Sequence, residues 1–170
     1  MLKILVISDS HGFLEYIIEA YKKEMPDIII GAGDHIEDIK NFMYMFDNKE
    51  IITVLGNCDY LQSSAEEIKT EIKFIGDRNE NSELEKFFEI REKKFLLSHG
   101  HAYNVKYSKN EIEKMGKERR ADIVIFGHTH IKYFEKKEGI FYFNPGSIAN
   151  QEYGIIKILD NEIEFSHKKI

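Results

Sequence analysis

The chain has 170 residues, with 24 lysines and arginines against 30 aspartates and glutamates and a formal net charge of −6. That length fits one domain, 1–170, able to bury roughly 70% of its unfolded surface, and the mild acidity excludes a broad basic face for extended nucleic acid. One cysteine, Cys58, rules out an intramolecular disulfide, no apolar run approaches the ~20 residues that cross a bilayer, and the apolar start is too short for a secretory signal, so a cytoplasmic, non-membrane protein is expected.

Residues 2–8, rich in leucine and isoleucine, have the nearly continuous apolar pattern of a strand buried on both faces. Leu14, Ile17, Ile18 and Tyr21 follow at helical spacing, and Pro26 ends that helix. Residues 27–30 form a second buried strand running into Gly31-Ala32-Gly33-Asp34. Ile36, Ile39, Phe42, Met43 and Phe46 predict a second helix, and residues 51–55 a third strand. This alternation argues for parallel βαβ units.

Residues 61–84 are polar, with Ile68, Ile72 and Ile75 hinting at an amphipathic helix. Residues 87–91 and 94–98 read as paired strands, 110–120 as a helix, and 121–126 as another buried strand. The remainder, 131–135, 140–143, 154–159 and 163–166, reads as a β-meander. Two sheets packed together, with helices outside, is the economical architecture.

Metal-ligand residue types fall at the ends of these strands. Asp9 and His11 follow the first, Asp34 the second and Asn57 the third. His99 follows residues 95–98, and His128 with His130 follows 123–126. In open α/β sheets such strand ends form the ligand crevice. A single aspartate after a strand is more often a turn or cap residue, but five strand ends carrying this set converge on one edge. Carboxylate, imidazole and amide oxygen together suit divalent manganese, iron, nickel or zinc. A D-x-H or H-x-H pair on extended chain would point both side chains the same way.

Asp9-Ser10-His11, Gly33-Asp34, Gly56-Asn57-Cys58-Asp59, Ser98-His99-Gly100-His101 and Gly127-His128-Thr129-His130, in that order, resemble the motifs of calcineurin-like metallophosphoesterases. Asn144-Pro145-Gly146-Ser147 is similar to the small bacterial and archaeal phosphodiesterase branch. The resemblance implies an α/β fold, a four-layer α/β/β/α sandwich of two packed mixed sheets flanked by helices, with a first divalent cation on Asp9, His11, Asp34 and His130 and a second on Asp34, Asn57, His99 and His128. Asp34 is then shared, and Asp34, Asn57 and His99 are the catalytic members. It further implies a phosphodiesterase using two divalent cations, manganese first (nickel, iron or zinc as alternatives), in which a hydroxide held between them attacks a small phosphoester substrate. A homo-oligomer is compatible with all of this. The rivals are a nuclease and a non-catalytic scaffold on the same fold, as in the retromer coat.

Two positions depart from the family pattern. Many relatives have histidine where this chain has Cys58, a weak hydrogen-bond donor. A proline-arginine pair expected after Ser147 is replaced by Ile148-Ala149-Asn150, so a substrate-binding cation must come from elsewhere, with residues 61–84 as one source. His101 is expected to orient a neighbour or touch substrate, His35 to point away, and His167 to lie on the surface.

Overall fold

The computed structural model describes residues 1–47, 49–59, 83–160 and 162–170. Its first half alternates as expected: β1 (Leu2–Ile7), α1 (Leu14–Glu24), β2 (Ile28–Gly31), α2 (Ile36–Met45) and β3 (Glu50–Thr53). α1 stops because Met25 takes a left-handed conformation while its N–H returns to the Tyr21 carbonyl, and Pro26 cannot continue the helix. The second half holds β4 (Glu85–Ile90), β5 (Lys93–Ser98), α3 (Asn110–Glu118), β6 (Ile123–Ile125), β7 (Tyr133–Lys137), β8 (Ile140–Asn144), β9 (Glu152–Ile158) and β10 (Ile163–Lys169). The helix hinted at by Ile68, Ile72 and Ile75 lies outside the described residues.

The strands make two five-stranded mixed sheets, ordered β10-β9-β1-β2-β3 and β4-β5-β6-β8-β7. β1, β2 and β3 run parallel, as do β5, β6 and β8, while β4, β7, β9 and β10 are antiparallel to their neighbours. The strand alternation of period two explains the layers. Ile4 and Val6 of β1 meet Phe95, Leu97, Ile125 and Phe143 between the sheets. Leu5 and Ile7 of the same strand turn outward onto Ile17 and Ala20 of α1 and Ile39 and Phe42 of α2. On the other sheet Leu96 and Val124 turn out toward Ile112 of α3. These are the four layers that the sequence pattern called for.

The meander reading is corrected. β7 and β8 pair with each other in one sheet, whereas β9 crosses to the other sheet and inserts between β1 and β10. Hydrophobic period identifies a strand but not its sheet, and β9 is buried along most of its length because it is an inner strand.

Candidate metal centre

The carboxyl ends of β1, β2, β3, β5 and β6 open at one end of the sandwich, and the turns leaving them bring all seven expected side chains together. His130 Nε2 lies 3.1 Å from Asp9 Oδ1 and 3.4 Å from His11 Nε2. His99 Nε2 lies 3.3 Å from Asp34 Oδ2, 3.2 Å from Asn57 Oδ1 and 3.2 Å from His128 Nδ1. The two halves touch, since His99 Nε2 is also 3.9 Å from Asp9 Oδ1. Asp9–His11–His130 and Asp9–Asp34–His99 each place three donor atoms within 4.8 Å of one another.

The pairs are not extended, as the D-x-H and H-x-H spacing suggested. Asp9, His11, Asp34, His128 and His130 have φ of 55°, 47°, 56°, 66° and 58°. Left-handed backbone in non-glycine residues costs energy and is held only where surroundings over-determine it. Several buried bonds do so here. Asp38 accepts the Ser10 hydroxyl and the Gly12 N–H. Ser147 Oγ donates to the Asp9 carbonyl (2.8 Å), and Ile148 N–H to that of Ser8 (2.9 Å). Asn144 Nδ2 donates to the Gly127 carbonyl (2.9 Å) and to Thr129 Oγ1 (3.1 Å), holding the turn that carries His128 and His130. The Asp59 carboxylate accepts the N–H groups of Asp34, Ile36 and Gly56.

Asp38, Asp59, Asn144 and Ser147 are thus the site residues that motif reading left in minor roles. Asn144 Oδ1 accepts the Gly146 N–H at 2.9 Å. Its amide nitrogen does the further work of supporting the histidine loop. His167 is corrected: it is not a free surface residue but stacks on Phe143 at 4.8 Å and reaches the Asn144 carbonyl at 2.8 Å. His35 points away as expected, its buried ring bridging the Gly33 carbonyl and the Thr53 hydroxyl.

Electrostatics follow from burial. Burial pushes the Asp34 carboxyl up, but the hydrogen bond and charge of His99 and the Cys58 N–H more than offset it, holding it well below the usual carboxylate range. Asp9 is lowered likewise: burial opposes, and His130, His99 and Ser8 prevail. Burial, then the charges of His99 and Lys106, push His128 down to about 4, which leaves its ring neutral and able to donate a lone pair. Burial and then Asp34 push the Cys58 thiol up to about 11, so it stays protonated at neutral pH.

A divalent cation fits this donor set. Asp9 Oδ2 is occupied by Ser8 Oγ (2.5 Å) and the His128 N–H (3.1 Å), whereas the fully buried Oδ1 has no hydrogen-bond donor among the described residues. His99 Nδ1–H donates to the Ala32 carbonyl at 2.6 Å, which turns its Nε2 toward Asp34 and Asn57. Uncapped carboxylate oxygen and facing imidazole nitrogens at this spacing need positive charge among them.

Comparison with known proteins agrees. Residues 2–160 match the model of the calcineurin-like phosphoesterase superfamily domain. The chain belongs to that superfamily. It is 33% identical over 170 residues to a phosphodiesterase of Methanocaldococcus jannaschii, covering 95% of this chain and 94% of the relative. Among solved structures it is similar to an archaeal phosphodiesterase (TM-score 0.69, 27% identity, 98% of this chain and 100% of the other). It shares its fold with a zinc-complexed Vps29 of Entamoeba histolytica (TM-score 0.71, 16% identity, 99% and 98% covered). This calcineurin-like chain is therefore a metal-dependent phosphoesterase by family, with the sandwich expected from its sequence. No helix among its described residues is long and apolar enough to cross a membrane.

Proposed function

We propose that the chain is a single-domain, cytoplasmic phosphodiesterase working with two divalent cations, manganese foremost, on small diesters with good leaving groups, aryl or nucleotide-like. Asp9, His11, Asp34 and His130 would hold one cation and Asp34, Asn57, His99 and His128 the other. The observation that carries this reading is Asp9 Oδ1, buried and without a donor among the described residues, facing the nitrogens of His130, His11 and His99. Two such cations supply Lewis acidity at phosphorus and lower the pKa of an attacking water. The chain's own part is to keep Asp34 and Asp9 charged, to keep His128 neutral, and to orient His99 through Ala32.

A protonated thiol at Cys58 is a weak donor and gives a poor leaving group little help, which supports the choice of substrate class. The Vps29 likeness speaks to fold alone, and every candidate ligand position is filled, so the scaffold reading gains nothing from it. The test is hydrolysis of bis-p-nitrophenyl phosphate by purified protein. Activity should vanish with chelator and return with manganese; a folded protein inert with every divalent metal tried would overturn the assignment.

Lys106 is a candidate replacement for the cation missing after Ser147. Val105 is buried, with its N–H on the Gly100 carbonyl, and so anchors exposed Lys106 beside the histidine loops. The charge of Lys106 reaches both His128 and His130, and no hydrogen bond or ion pair engages it among the described residues. Lys106 would hold a phosphate oxygen as substrate docks. Lys106→Met is expected to raise KM for the diester about tenfold, the loss of one charge-assisted contact, with kcat changed by less than about twofold. Steady-state kinetics decide it, and an unchanged KM removes Lys106 from the substrate contacts.

A further inference from the structure

The sheet containing β1 ends at β10, which has no strand on its outer side among the described residues. β10 is seven residues long, and a bare edge of that length is a template for another strand. Its chemistry is readable from the pairing with β9, which aligns Ile163 with Ile158 and Lys169 with Glu152. At the two ends of that ladder the Leu159 N–H donates to Glu162 and the Ile170 N–H to Gln151. Antiparallel ladders alternate hydrogen-bonded and non-hydrogen-bonded pairs, so the even-numbered residues of β10 spend their backbone groups on β9. The N–H and C=O groups of Ile163, Phe165, His167 and Lys169 therefore face outward. The Lys169 carbonyl accepts Lys23 Nζ at 3.0 Å, and the other three residues present theirs to the open edge.

We propose that the occupant of this edge is β10 of a second copy of the chain, antiparallel across a two-fold axis at Ser166, joining the two sheets into one of ten strands. In that register the Phe165 of each copy exchanges backbone hydrogen bonds with His167 of the other, and the Ile163 carbonyl accepts the Lys169 N–H, while the Lys169 carbonyl stays with Lys23. Ser166 faces Ser166, and Glu164 faces Lys168, as non-hydrogen-bonded pairs, where opposed side chains come closest. Glu164 and Lys168 are both exposed, and the symmetry creates their pairing twice. Glu164 already has Lys157 at 3.8 Å across β9, so the second copy extends a Lys–Glu row into Lys–Glu–Lys.

The charge order selects this register. An axis at Phe165 would set Glu164 against Ser166, and one at His167 would set Ser166 against Lys168. Only the Ser166 axis opposes unlike charges within the strand. Lysines on an edge ordinarily deter pairing, but here each meets a glutamate of the same strand in the other copy. Beside the edge, Phe134 of β7 is 48% exposed with its ring 5.0 Å from that of Phe165, leaving apolar surface along the same seam. The strand-end site belongs to the turns after β1, β2, β3, β5 and β6, so the pairing leaves it open in both copies.

Sedimentation or light scattering across a concentration series tests this directly. Wild-type protein should be a dimer that weakens with added salt. Lys168→Glu, which sets two like-charge pairs across the axis, should raise the dimer dissociation constant by about tenfold or more, and Glu164→Lys with Lys168→Glu should restore it. Ser166→Cys, in a Cys58→Ser background, should form an intermolecular disulfide on mild oxidation, because directly opposed non-hydrogen-bonded residues sit ~4.5 Å apart at Cα. A monomer at every concentration, a dimer indifferent to Lys168→Glu, or no cross-link at Ser166 would each overturn the proposal. Diesterase activity per chain should be the same for wild type and Lys168→Glu, so this outcome is separate from that of the functional assignment.

Discussion

Asp34→Asn is expected to lower kcat/KM for the diester by roughly a thousandfold, about 4 kcal/mol at 1.4 kcal/mol per decade. The residue is 4% exposed, and its two oxygens face different ways. Oδ1 accepts the Cys58 N–H at 2.8 Å, and Oδ2 faces His99 Nε2 at 3.3 Å. His99 and the Cys58 N–H keep it charged against the pull of burial, so a full negative charge stands where both proposed cation sites meet. Asparagine preserves shape and removes that charge. The bound manganese per chain should fall along with the rate, while the circular dichroism spectrum keeps its native form. Wild-type turnover by the variant would dismiss Asp34 as a shared ligand.

Gly56→Ala should be nearly as damaging, although it adds one carbon and no charge. A Cβ at Gly56 would stand 2.0 Å from Asp34 Oδ1 and 2.5 Å from the Asp34 backbone nitrogen. Neither neighbour can yield freely, because the N–H groups of Gly56 and Asp34 both donate to the Asp59 carboxylate, at 2.7 and 2.9 Å. Overpacking of this kind costs about 1–3 kcal/mol, and a displacement of about 1 Å at a reacting centre can cost about 100-fold in rate. The expected result is a lower melting temperature together with about a hundredfold loss of activity. Gly139→Ala is the control. Gly139 has φ +87° but nothing within 4 Å of an added Cβ, so only backbone strain of about 1 kcal/mol is added there, and the site is untouched. Equal melting and turnover for Gly56→Ala and wild type would show that the Asp34 turn yields more easily than its hydrogen bonds imply.

Cys58 meets the site through both its backbone and its side chain, and its thiol lies within 4.8 Å of donor atoms of His11 and Asp34. Its N–H serves Asp34, while its thiol, pushed up by burial and by that same carboxylate, stays protonated. The side chain at this position is therefore a neutral thiol, a weak hydrogen-bond donor.

Local sequence determined the elements and the donors. The period-two alternation in β1 sends Ile4 and Val6 to one face and Leu5 and Ile7 to the other, and that pattern is present in the residues before any folding. Ligand-type side chains after five strands are equally local, because a strand end needs only its own residues to be recognised. Tertiary structure decided what depends on distant partners. It sent β9 across to the other sheet, since an apolar run carries no label for which sheet will bury it. It twisted Asp9, His11, Asp34, His128 and His130 into left-handed turns, which their spacing could not reveal. It also recruited Asp38, Asp59, Asn144 and Ser147 as the hydrogen-bonding frame of the site. A buried hydrogen bond between residues as far apart as Ser147 and Asp9 exists only once folding has closed the intervening chain, so neither residue alone announces it.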